Sequence, residues 1–239
     1  MAMPAAVLLD LDNTLYPYRP SHDAGLLAFG REWKRRGLGS IEDGMEQYKS
    51  GRAVVQARVR NVAAEHNRLL YTQWAVEERT GRCDSRSVLD CDAAYWRAFL
   101  NSMHMYPGAR AWLRSLGRSG TPVVLVSDMV ARITHRKMLK LGLDRLVSRL
   151  VTSEEAGVEK PSPMPFLLAL EKLGMTPCQN ICMVGDSLER DVEPALRMGM
   201  SAVLINAWQG AEAMVSSAPG AGYRVVGDFR DFSKVVGWP

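Results

Sequence analysis

Short, nearly continuous apolar runs recur along the chain, and most of them are followed by a stretch with helical spacing. Val7 to Leu11 opens the series. Pro122 to Ser127 leads into a helix-like Ile133 to Leu143, Leu150 to Thr152 into Pro163 to Leu173, and Ile181 to Val184 into Val192 to Met198, before a last run at Ala202 to Asn206. Strands alternating with helices predict a parallel sheet with helices on both faces. The unbroken apolar character of the runs is that of strands buried on both sides.

Between residues 18 and 104 the pattern contains helices only. Val55, Val59, Val62, Leu69 and Leu70 with Trp74 recur at spacings of three and four, as do Tyr95, Trp96, Phe99 and Leu100. Breaks are expected at Gly37 to Ser40, Ser50-Gly51 and Gly81 to Asp84, and Pro107-Gly108 marks the return to the strand pattern. The expected architecture is therefore α/β: a doubly wound parallel-sheet core of residues 1–17 and 105–239, with an all-helical domain of residues 18–104 inserted after the first strand. The aromatic stripes are expected to be packing within that domain. The segment after Asn206, with Trp208, Gly210 and a loop at Ser217 to Gly220, is expected to wrap the core edge without contributing chemistry.

A chain of 239 residues with 47% hydrophobic and 23% charged residues can bury one substantial core and a modest extra domain. No apolar stretch is long enough to cross a bilayer. The first apolar run is short, has no basic residue before it and runs straight into aspartates, unlike a secretory signal, so a cytoplasmic protein is expected. Cys83, Cys91, Cys178 and Cys182 form no paired Cys-x-x-Cys sets and the four histidines are scattered, which argues against structural zinc. A net charge of +4, with arginines spread along the chain, gives little support to nucleic-acid binding. Oligomeric state is open at this level.

The chemistry sits at the strand ends. The first run stops at Asp10-Leu11-Asp12-Asn13-Thr14-Leu15-Tyr16-Pro17, with two carboxylates two residues apart. Like charges about 4 Å apart repel by roughly 4 kcal/mol at an effective dielectric near 20, so such a pair needs a cation, a shared proton or divergent side chains. Later runs end at Ser127-Asp128, at Val158-Glu159-Lys160-Pro161-Ser162-Pro163, and at Gly185-Asp186-Ser187 followed by Asp191. In a doubly wound sheet the crevice lies beyond the carboxyl ends of the strands, so Asp10, Asp12, Ser127 and Asp186 are expected to converge on it.

In this order, each at a strand end, these motifs resemble those of the haloacid dehalogenase-like hydrolase superfamily, over nearly the whole core. The helical insertion is similar to the cap of the group containing phosphoglycolate phosphatase, beta-phosphoglucomutase and the haloacid dehalogenases. Asp12-Asn13-Thr14-Leu15-Tyr16-Pro17 further resembles the pyrimidine 5'-nucleotidase-like members. The resemblance implies a Rossmann-like core and a magnesium-dependent phosphatase acting on a small phosphomonoester, a nucleoside monophosphate among the candidates, through an aspartyl-phosphate.

Within that reading a carboxylate nucleophile needs positive charge to approach a phosphoryl group, and magnesium suits an all-oxygen site. Asp10 is the expected nucleophile and a metal ligand with Asp186, Asp191 and the main-chain carbonyl of Asp12. Lys160 is expected to balance charge between Asp10 and the phosphoryl oxygens, and Ser127 to bind one of those oxygens. The Asp12 side chain would protonate the leaving alkoxide and later deprotonate water; carbon-halogen cleavage needs no such acid. Thr14 is expected to fix Asp12 or, equally, to cap the turn. Asp128 departs from the Asn common at this point in relatives, and is expected to face away from the phosphate or to cap the next helix. Tyr16, Tyr18, Arg52, Arg58, His66 and Arg68 are candidate substrate selectors. A sugar phosphomutase using the same residues, or a non-catalytic binding protein of the same fold, are the alternatives.

Overall fold

The computed structural model describes residues 3–178, 180–206 and 222–238; Trp208, Gly210 and the loop at Ser217 to Gly220 lie outside the described residues. The chain divides into two units, Met1–Pro17 with His104–Pro239, and Tyr18–Met103.

The first unit begins with β1 (Ala6–Leu9) and is interrupted by the second unit, whose helices are α1 (Tyr18–Arg35), α2 (Ile41–Arg58), α3 (Arg68–Thr80) and α4 (Ser85–Ser102). It resumes as α5 (Ala109–Arg118), β2 (Val123–Ser127), α6 (Ala131–Leu141), β3 (Arg149–Thr152), α7 (Ser153–Ala156), α8 (Met164–Glu171) and β4 (Ile181–Gly185). A π-helical turn at Leu188–Val192, α9 (Glu193–Arg197), β5 (Ser201–Ile205), β6 (Tyr223–Val226) and α10 (Phe232–Val236) follow among the described residues.

Among the described residues, six strands pair in parallel, in the order β3-β2-β1-β4-β5-β6. β1 is central: Leu9 pairs with Leu125 on one side and with Val184 on the other, and Ala6 to Leu9 have no exposed surface. One face of the sheet packs Leu8, Val124, Val126 and Met183 against Phe166 and Leu170 of α8 and against Val192 and Ala195. Of the segment after Asn206, the described residues begin at Gly222 and contribute to the sheet. Tyr223 to Val226 forms a sixth strand against β5, as its β-branched residues favour.

In the helical unit, Ser40, Asn67 and Asp84 cap α2, α3 and α4 through their side-chain oxygens. The break expected at Ser50-Gly51 is not present: α2 runs through it. Gly51 faces the Tyr71 carbonyl so closely that a Cβ would clash, so this glycine marks the approach of α2 to α3 rather than a turn. The apolar stripe from Val55 to Trp74 is split between α2 and α3, because α2 ends at Arg58 and a 3₁₀ turn at Ala63–His66 intervenes.

Arg68 is buried in this unit. It donates to the Tyr18 hydroxyl at 2.6 Å and to the His66 carbonyl, and lies 5.5 Å from the centre of the Trp96 ring and 6.0 Å from that of Tyr71. Cation–aromatic contacts of this kind favour a desolvated guanidinium. His22 stacks on Tyr18 and meets the Tyr95 hydroxyl at 2.7 Å; burial, and then the Arg68 charge, push its pKa down to about 4. Of the candidate selectors, Arg68 is thus occupied in holding its own unit together, while Arg52 and Arg58 are exposed on α2. Among the described residues no helix is long and apolar enough to cross a membrane.

Candidate active site

The parallel arrangement brings the polar carboxyl ends of β1, β2 and β4 together at one end of the sheet. The Asp10 amide still bonds the Val184 carbonyl at 2.9 Å, so Asp10 continues the ladder at the level where β4 ends in Gly185. Asn13 then takes a left-handed conformation, φ 61°, which Asn tolerates, and turns the chain back so that Leu15 bonds Leu11. This turn carries Thr14 back toward Asp10.

Asp10 is buried and faces Lys160, also buried, whose ammonium donates to Asp10 Oδ1 at 2.8 Å, to Asp191 Oδ1 at 2.6 Å and to the Val126 carbonyl at 3.2 Å. Thr14 donates to Asp10 Oδ2 at 2.8 Å and lies 3.3 Å from Asp186 Oδ1. Ligand oxygens of Asp10, Asp186 and Asp191 all lie within 4.8 Å of one another. Ser127 is buried where β2 ends, one residue beyond the Val126 carbonyl that Lys160 bonds.

Asp191 reaches this cluster from the wide turn at Leu188–Val192, in which the Val192 amide bonds back five residues to the Ser187 carbonyl. Such π-turns shift a side chain out of ordinary helical register. The Ser187 amide holds Asp191 Oδ2 at 3.1 Å, and Gly185 makes room: a Cβ there would run into the Asp191 carboxylate.

The electrostatics follow from crowding. Burial, reinforced by Asp191 and Asp186, pushes Asp10 up to about 8 against the lowering pull of Lys160. Asp186 is pushed up to about 6 by burial and by Asp191, against Lys160 and Thr14. Burial alone would lower Lys160, but the carboxylates of Asp10, Asp191 and Asp128 outweigh it and raise its pKa. The cluster of Asp10, Asp186 and Asp191 has one ammonium beside it, bonded to two of the three carboxylates. An oxygen-only set left short of positive charge in this way fits a hard divalent cation such as magnesium.

The Asp12 carboxylate stands outside that set. Lys137, on α6, donates to both of its oxygens at 2.8 and 2.6 Å, and the Tyr16 hydroxyl donates to Oδ1 at 2.7 Å. Two expectations are corrected here. Thr14 holds Asp10 and not Asp12, because the left-handed residue at Asn13 carries Thr14 back toward Asp10. Tyr16 has no exposed surface and touches Asp12, so it is no outward-facing selector.

Asp128 caps no helix. Its Oδ1 accepts the Lys160 amide at 2.9 Å and its Oδ2 accepts Arg190 at 2.8 Å, while Arg190 also binds Glu159 at 3.0 Å. The extra negative charge at this position is thereby tied to a guanidinium whose own pKa, lowered by burial, is raised on balance by Asp128 and Glu159. Sequence reasoning missed Lys137, one of several basic residues in a mixed helix-like stretch, and Arg190, which lies between Ser187 and Asp191 but was given no role.

Comparison with known proteins agrees with this geometry. The family model described as haloacid dehalogenase-like hydrolase matches residues 4–199. The chain is 36% identical to a ribulose-1,5-bisphosphate 5-phosphatase of Halopiger xanaduensis over 90% of both chains. It is 30% identical to a glyceraldehyde 3-phosphate phosphatase of Methanopyrus kandleri, over 84% of this chain and 83% of that one. In fold it is similar to the crystal structure of a phosphatase of the same superfamily from Thermococcus onnurineus, with a TM-score of 0.72 at 23% identity and 98% of each chain covered. With strand order, acidic cluster and sequence in agreement, the chain belongs to the haloacid dehalogenase-like hydrolase family.

Proposed function

We propose that this hydrolase is a phosphatase of small phosphorylated metabolites, with Asp10 as nucleophile, Asp12 as acid and base, and the helical unit as substrate-selecting cap. The observation that carries the reading is the separation of the two aspartates. Asp10 shares Lys160 with Asp191 beside Asp186, whereas Asp12, two residues on, is gripped by a different cation. One carboxylate is placed among charges that accommodate a phosphoryl group, and the other is kept apart for protons.

In the first step a carboxylate oxygen of Asp10 attacks phosphorus, the bond to the leaving oxygen breaks, and Asp12 delivers its proton to that oxygen. In the second step Asp12 takes a proton from water as the water oxygen attacks phosphorus, releasing phosphate and restoring Asp10. Lys160 offsets the charge that Asp10 and the phosphoryl oxygens bring together, and Ser127, at the end of β2, would bind one of those oxygens. Asp10, Asp186 and Asp191, with the Asp12 main-chain carbonyl, would hold magnesium. When bound, the ion supplies the positive charge that lets an anionic nucleophile meet an anionic substrate.

Two relatives named for removing phosphate from sugar phosphates support a small phosphorylated sugar as the substrate class. A panel of sugar phosphates and nucleoside monophosphates, assayed for inorganic phosphate, tests this. Release is expected with magnesium, is expected to stop on chelation with EDTA and to return when magnesium is restored. Turnover indifferent to chelation contradicts the metal assignment. Isomerised substrate with little free phosphate would instead establish a mutase.

A further inference from the structure

Lys137 is a lysine with no exposed side-chain surface, 125 residues from Asp12 in the sequence. Burying an ammonium costs several kcal/mol unless an opposite charge meets it, and the charge that meets this one is the carboxylate of Asp12, through both oxygens. The Tyr16 hydroxyl reinforces the grip at Oδ1, and the Lys137 ammonium lies 5.8 Å from the centre of the Tyr16 ring. The Asp12 side chain itself remains 28% exposed. The Asp12 carboxylate thus meets donors from Lys137 and Tyr16, both buried, and keeps part of its surface exposed.

We propose that Lys137, assisted by Tyr16, is a positioning residue for proton transfer by Asp12. It fixes the plane of the carboxylate and keeps Asp12 from turning toward Lys160 and the acidic cluster around Asp10, so that the proton goes to the leaving oxygen as the P–O bond breaks. The inference rests on the acid–base role given to Asp12 above. A merely structural ion pair between α6 and the β1 turn makes a different prediction. It would matter equally for every substrate, whereas a positioned acid matters in proportion to the basicity of the leaving group. An alkoxide needs the proton; p-nitrophenolate leaves without it.

The test compares kcat/KM, which reports the first P–O cleavage, for the sugar phosphate turned over best and for p-nitrophenyl phosphate. For Lys137→Met the expected loss is about 10²-fold on the sugar phosphate and less than about threefold on p-nitrophenyl phosphate. Tyr16→Phe, which keeps the ring, is expected to show the same selectivity at about tenfold. Equal losses on the two substrates, or none on either, overturn the proposal. If Lys137→Met does not fold by thermal unfolding, the ratio in Tyr16→Phe decides. Asp12→Asn separates the two levels of the argument. A leaving-group-selective loss there without one at Lys137 or Tyr16 refutes the positioning role alone, and an unselective loss there refutes the acid role.

Discussion

Asp10→Asn lowers phosphate release by at least about 10⁴-fold, the scale of loss when a nucleophile is removed from a site whose groups act as a unit. The fold survives the change. Asparagine has the shape of aspartate and keeps an oxygen for Lys160 to bond, while Lys160 retains Asp191 at 2.6 Å and has Asp128 at 3.9 Å. The variant also removes one member of a crowded group of carboxylates, in which Asp10 is pushed up to about 8 by burial and its neighbours. Phosphate release and thermal unfolding measured on the same preparation check both halves. Activity above a few per cent of the parent removes Asp10 as nucleophile.

Lys160→Met is the second large effect, and it falls on stability as well as rate. This ammonium is buried and is shared by Asp10 and Asp191, with the Val126 carbonyl as a third acceptor. Breaking a buried ion pair from one side leaves the other charge uncompensated, a loss of about 3–5 kcal/mol. Methionine matches the length of the lysine stem and fills its space, so the loss reflects charge more than a cavity. Removing preorganised positive charge from the phosphoryl site is expected to lower kcat by roughly 10²–10³-fold. Denaturant unfolding in EDTA, together with phosphate release in magnesium, measures the two terms separately. A variant as stable as the parent and nearly as active would show that Lys160 neither holds the cluster together nor serves the reaction.

Much of the core was readable in the sequence because buried parallel strands are nearly continuous apolar runs, and the polar residues that stop them stand out. Val7 to Leu11, Val123 to Ser127 and Ile181 to Gly185 show this, and the polar residues at and after their ends meet at one end of the sheet. What escaped was whatever depends on the facing of single side chains. Lys137 and Arg190 lie on helical segments whose inward direction the apolar pattern does not settle, and their partners are 125 and 62 residues away. Thr14 was assigned to the wrong aspartate, because the left-handed residue at Asn13 changes which carboxylate the turn presents to it. Asp191 was expected beside Asp10 and Asp186 from the motif, but the π-turn that brings it there is not something an ordinary helical count anticipates. Gly51 read as a breaker because glycine marks both turns and close helix contacts, and only the neighbouring Tyr71 carbonyl distinguishes them. Tyr223 to Val226 is too short a run to declare a strand until β5 is there to pair with it.

The central claim is that phosphoryl transfer passes through Asp10, and an acyl phosphate can be captured where it forms. Enzyme mixed with its best sugar phosphate and magnesium, then quenched with borohydride, should have the phosphorylated carboxyl reduced to an alcohol, which peptide mass spectrometry locates. The account predicts homoserine at position 10, only when substrate is present and not in Asp10→Asn. Phosphate released at the normal rate with residue 10 unmodified, or reduction found at Asp12 instead, would contradict it.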